Sequence, residues 1–210
     1  FSFMIAPSTT YVSDEKYPGW RRNLCFVSLA QFCSNVAFGF SLTFIPFFIK
    51  DALHVTVESE RSMWVALYAA AAHLSLLLFA PFWGVLADIY GRRSMLLRAN
   101  FASVVLLPLI AFAPSAGWLV ALRFLCGCFL GTVTASQALI ATTTPSRHMG
   151  FAMGTIVSAV GSGNLAGMLF GALVVDRFGY MAAFFVSGAI LLVAGLLVLL
   201  GVQERFTRTT

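Results

Sequence analysis

Apolar residues run in six long blocks, at about 24–49, 62–86, 95–113, 118–140, 149–175 and 181–201, and most charged residues fall between them. Each block reaches the roughly 20 residues that an α-helix needs to cross ~30 Å of hydrocarbon with some tilt. None alternates with the period of two that a membrane barrel requires. Backbone groups in lipid must be satisfied within their own segment, so the blocks predict helices. The predicted fold class is an all-α membrane protein of six transmembrane helices.

Composition excludes a soluble domain: 60% of residues are hydrophobic, 10% are charged and the mean hydropathy is +0.90, whereas soluble domains carry about 25% charge. The net charge of +5 would suggest nucleic acid in a soluble protein. Here the basic residues flank apolar blocks, so they report topology and no nucleic-acid partner is expected. One side collects Lys16, Arg21, Arg22, Arg92, Arg93, Arg98, Arg147, Arg205 and Arg208; the other holds only Lys50, Arg61 and Arg177, with Asp51, Glu58, Glu60 and Asp176. The positive-inside rule makes both termini cytoplasmic. The expectation is a multi-pass protein of the inner (plasma) membrane, surrounded by its lipids. Residues 1–19, which contain Pro7 and Pro18, read as a cytoplasmic tail, 20–204 as the bundle and 205–210 as the start of a cytoplasmic linker. Trp20, Trp64, Trp83 and Trp118 fall near span ends, where an amphipathic ring is favoured as an anchor. Cys25, Cys33, Cys126 and Cys128 all fall inside spans and read as small packing residues. No metal or cofactor site is predicted.

A short motif recurs: Asp88-Ile-Tyr-Gly91 returns as Asp176-Arg-Phe-Gly179, 88 residues later, each between the second and third helix of a three-helix group. The topology places the first copy in the cytoplasm and the second outside. That predicts a 3+3 inverted repeat, an arrangement common in secondary transporters.

Gly84-x-Leu86-Ala87-Asp88-x-x-Gly91-Arg92-Arg93 lies in the loop between helices two and three and resembles the signature loop of the major facilitator superfamily. Arg123-x-x-x-Gly127 on the fourth span looks like that superfamily's intramembrane arginine motif. Gly163-x-x-x-Gly167-x-x-x-Gly171 on the fifth looks like the glycine motif of its drug:proton antiporters. The stretches "WRRNL", "APFWGVLADIYGRRSMLLR" and "ALIATTTP" extend the likeness to bacterial multidrug efflux antiporters, from Trp20 to Glu204. Met168 departs from the antiporter motif, which has a proline there, and Ile89 stands where the loop motif usually has a basic residue. The family has twelve helices, so the resemblance implies that this is a first half. It implies as partners a small-molecule substrate, protons, and a second six-helix half in the same chain or another subunit.

The resemblance makes the loop a cytoplasmic gate, latched and released as two bundles rock. Gly84 would let helices approach, Gly91 would allow a turn that a side chain penalises, and Asp88 would accept hydrogen bonds from Arg92 or a helix start. Arg93 and Arg92 also serve as positive-inside signals. Arg123 lies deeper than an anchor requires, so it either serves coupling or snorkels outward; no Asp or Glu lies mid-span. Gln31, Asn35, Gly39 and Thr43 recur every four residues as a polar stripe. With Phe38, Gln137 and Asn164 it either lines a substrate cavity or bonds helix to helix. His73 is either a proton or ligand site or a satisfied interhelical bond. The glycines of helix five offer a smooth face for close packing.

An intramembrane hydrolase is excluded. Ser162 has no histidine after His148 to act as its base, and neither a paired intramembrane Asp nor an H-E-x-x-H helix is present. The chain is read as half of a secondary active transporter that exports amphipathic molecules, with the coupling to protons that the resemblance implies; a facilitator, an importer or a half-length scaffold is the alternative.

Overall fold

The computed structural model describes residues 19–204, so all but Gly19 of the tail expected over residues 1–19, and the linker expected over 205–210, lie outside the described residues. The helices are α1 (Trp20–Asp51), α2 (Glu58–Tyr90), α3 (Arg92–Leu109, continued by a 3-10 turn Ile110–Phe112), α4 (Ala116–Phe129), α5 (Thr132–Thr143) and α6 (Met149–Gly201). Their boundaries do not map one to one onto membrane crossings. At 1.5 Å per residue, the 53 residues of α6 would extend for about 80 Å, far more than one crossing needs. Gly179, with φ 78° and ψ 174°, breaks α6 into limbs of 149–178 and 180–201. Conversely, α4 and α5 together make a single crossing, interrupted at Leu130 and Gly131, the latter at φ 123°. Of five apolar segments of spanning length, one thus holds two crossings, giving the six that the sequence predicts.

The inverted repeat has a backbone signature. Gly91 separates α2 from α3 at φ 88°, ψ 152°, and Gly179 separates the limbs of α6 at φ 78°, ψ 174°. These glycines are the 88-residue pair of the sequence motif, and both adopt a positive φ that side chains rarely tolerate. The same 88-residue step carries Gly39 on α1 to Gly127 on α4, and each is a point of near backbone contact. A Cβ on Gly39 would lie 2.7 Å from Asn164 O, and one on Gly127 would meet Ser75 Oγ and lie 2.9 Å from Ala72 O. Thus α1 crosses the first limb of α6 much as α4 crosses α2.

Two apolar clusters flank a polar middle layer. Trp20, Leu24, Val27, Leu96, Ile140, Ile156 and Val198 form one cluster. Phe44, Phe48 and Phe184 anchor the other, their rings meeting edge to face at 5.0 and 5.5 Å. Between them, Ser34 donates to Asn100 Oδ1 at 2.7 Å, while Asn100 donates to Leu96 O at 3.0 Å. Polar groups in lipid are tolerated where, as here, they satisfy one another inside the bundle.

Candidate functional site

The loop expected to form a gate lies where the end of α2 and the start of α3 meet the end of α6. Asp88 occupies the last turn of α2, and its Oδ1 lies 3.4 Å from Arg92 Nη2; the two side chains are 74% and 28% exposed. A pair this wet is worth about 0–1 kcal/mol. It is therefore strong enough to bias a conformation and weak enough to break. Gly91 makes the turn possible but leaves α3 without a side-chain cap. Glu204 supplies one from the far end of the chain: Arg92 N donates to its Oε1 at 3.0 Å and Arg93 N to its Oε2 at 2.8 Å. A carboxylate is favoured at a helix N-terminus, where the first amides lack partners.

Arg93 Nη2 in turn donates to Leu199 O at 2.7 Å, and Arg22 Nε to Gly201 O at 3.0 Å. Asn23 and Gln203 exchange two further bonds. The loop is thus tied to the end of α6, which is tied in turn to the start of α1. Glu204 was not among the residues singled out in the sequence, although an uncapped helix start beside two arginines is the signal that calls for an acid. Glu204→Gln should lower the thermal unfolding free energy in detergent by about 1 kcal/mol, read as a small drop in melting temperature with the fold retained.

Among the described residues, Gly84 does not play the packing role expected of it. A Cβ there meets nothing within 4 Å, because α2 buries only Tyr68, Ala71, Ala72 and Ser75. Helical spacing puts Gly84 on the opposite face with His73, Leu77 and Asp88. His73 is exposed, and its bond is to its own helix, Nδ1 to Ala69 O at 2.9 Å; the interhelical partner allowed for in the sequence reading is absent among the described residues.

Gln31, Asn35 and Asn164 come together. Gln31 Nε2 donates to Thr132 O at 2.8 Å, Asn35 Nδ2 to Gln31 O at 2.8 Å, and Asn164 Nδ2 to Asn35 Oδ1 at 3.4 Å. Gln31 and Asn35 are buried, so the stripe bonds helix to helix. Thr132 opens α5 just after the break at Gly131, which places its carbonyl toward Gln31. Phe38 and Gln137 are half-buried, and Gln137 makes no side-chain hydrogen bond among the described residues.

Arg123 does not snorkel: it is 6% exposed, its guanidinium lies 5.0 Å from the centre of the Tyr68 ring, and Nε and Nη1 have no acceptor among the described residues. Gly163, Gly167 and Gly171 are all buried against α1. Cβ atoms on them would meet Phe32 O at 2.6 Å, Val36 O, and Phe40 Cα at 3.0 Å. Helix continuity extends through Met168, which is 46% exposed.

This helical half, with a charged loop at the second-to-third turn and glycines on the fifth crossing, has known counterparts. Residues 27–209 match the Major Facilitator Superfamily. The chain belongs to that superfamily. It is 37% identical over 187 residues to the multidrug resistance protein MdtG of Citrobacter koseri, covering 89% of this chain and 46% of MdtG. It is 32% identical over 188 residues to the multi-drug resistance efflux pump PmrA of Streptococcus pneumoniae, covering 89% and 46%. The chain therefore spans about half the length of these relatives. In fold it is similar to the human organic anion transporter MFSD10, with a TM-score of 0.73, 20% identity, and coverage of 88% of this chain and 48% of that one. As a member of this superfamily, it is a multi-pass membrane protein and not an enzyme.

Proposed function

We propose that the chain is the amino-terminal half of a proton-coupled exporter of small amphipathic molecules, working by alternating access in the inner membrane with both termini cytoplasmic. The observation that carries this reading is the gate: a solvent-exposed Asp88–Arg92 pair beside an α2 face that has no partner among the described residues. The second six-helix half docks on that face, with Gly84 admitting its helix closely and Asp88 engaging it when the cytoplasmic side is shut. Rocking exchanges that contact for Asp88–Arg92 alone, a difference small enough for substrate and proton binding to drive.

Arg123 supplies the coupling charge. A buried cation without a counter-ion costs several kcal/mol, so a carboxylate of the second half or an anionic group of the substrate completes it. Asp51, Glu58, Glu60, Asp88, Asp176 and Glu204, the acids among the described residues, all lie at helix ends or beyond them. The proton carrier accordingly belongs to the second half.

The test is ethidium transport by the native gene product in everted membrane vesicles. Uptake driven by an imposed proton gradient, with proton release on substrate addition and collapse by a protonophore, is the expected result. Flux that ignores the gradient would make the protein a facilitator. No substrate-dependent flux for any amphiphile would favour a scaffold.

A further inference from the structure

The sequence accounts for Arg98 only as a positive-inside signal, yet its guanidinium turns into the bundle against Trp83. It lies six residues beyond Arg92 on α3, about 9 Å deeper along the axis. Its guanidinium stacks 3.2 Å from the centre of the Trp83 ring, and its Nε and Nη1 are buried without an acceptor among the described residues. An intramembrane arginine with open donors is a site in search of an anion.

The surroundings are built to hold it there. The break at Leu130 and Gly131 interrupts the hydrogen bonding of the fourth crossing, and Trp83 Nε1 donates to Cys128 O at 2.6 Å, just before the break. Thus the break fixes the indole, and the indole fixes Arg98 by a cation–π contact. Trp83 is therefore not simply the interfacial anchor expected from the sequence.

Beyond the break, α5 leaves a cavity of about 370 Å³ between itself, α2 and α3. Its mouth carries Asp88 and Arg92, already paired, and its wall carries Arg98 and Thr134; Leu76 and Ala138 contribute to the apolar remainder. With Asp88 neutralised by Arg92, Arg98 leaves the cavity one net positive charge.

We infer that this cavity binds an anionic amphiphile, with a phosphate-like head group on the open donors of Arg98 and an apolar chain along α2 and α5. A guanidinium suits phosphate oxygens geometrically and electrostatically, and the apolar wall rewards a chain in place of water. The Trp83 face is already covered by Arg98, which disfavours a flat aromatic cation. This site is separate from the buried Arg123 and does not depend on transport being proton-coupled.

The probe is dodecyl phosphate, titrated calorimetrically into the full native protein in uncharged dodecyl maltoside, whose identical chain cannot supply the anion. Saturable binding is expected, weakened about tenfold or more in Arg98→Gln. Ala138→Leu, which fills the cavity and keeps every charge, should weaken it as well and guards against a misfolded arginine variant. Native mass spectrometry of protein taken from its own membrane identifies the source: retained phosphatidylglycerol assigns the site to a lipid, and its absence alongside dodecyl phosphate binding assigns it to a free amphiphile. No saturable binding to the wild type, or equal binding by wild type and both variants, overturns the inference.

Discussion

Asp88→Asn should reduce ethidium export to the level of membranes lacking the protein, a loss of at least about tenfold, while leaving the amount of inserted protein unchanged. The amide has the carboxylate's shape but not its charge, so it loses the attraction to Arg92 and to any helix start of the second half. The exposure of the pair caps its structural contribution at about 1 kcal/mol, too little to unfold a bundle tied elsewhere by Glu204, Arg93 and Asn23. The loss thus reports the gate and not the fold. Immunodetection of the inserted protein beside the flux measurement separates the two, and wild-type export by Asp88→Asn would remove Asp88 from the mechanism.

The largest effect on stability is expected at Gly167. A Cβ there would meet the carbonyl oxygen of Val36 and lie 3.0 Å from both Gly39 Cα and Phe40 N. These are helix backbone atoms and cannot swing aside. Gly167→Val must push α1 away from the first limb of α6. Overpacking costs about 1–3 kcal/mol or more, and in lipid no hydrophobic force between helices offsets the lost packing. The variant should melt well below wild type in detergent and accumulate poorly. Gly161→Val is the matched control: on the same limb, its Cβ would meet nothing within 4 Å, so its melting should stay near wild type. Equal melting of the two variants would contradict the packing seen here.

The parts legible in the sequence are those with a periodic or positional cause. Hydropathy gave six crossings because each must be long and apolar, and the recurrence of Asp-x-x-Gly located two helix breaks because only glycine readily holds φ near +80° there. The glycine face on the fifth crossing was equally readable from its four-residue spacing. What escaped depends on distant chain meeting: Glu204 caps α3 from 112 residues away, and no local pattern names a cap so remote. The interruption at Gly131 was hidden inside an unbroken apolar run, and with it the reason that Trp83 turns inward. The stripe of Gln31 and Asn35 could not be assigned from spacing alone, since a cavity and a hydrogen-bonded seam both demand a polar face; the structure adds the seam bonds of Gln31 to Thr132 and of Asn164 to Asn35. Gly84 shows the opposite failure, a motif glycine with no packing partner among the described residues.

In the proposed orientation, the inverted repeat sets the gate at Asp88 on the cytoplasmic side and its echo at Asp176 outside. Single cysteines at the exposed positions Ser94 and Arg177, introduced after replacing Cys25, Cys33, Cys126 and Cys128, test it with a membrane-impermeant maleimide. The account predicts labelling of Ser94→Cys only in everted vesicles and of Arg177→Cys only in intact spheroplasts. Labelling of both from the same side would contradict the two crossings assigned to α6, and with them the repeat and the gate.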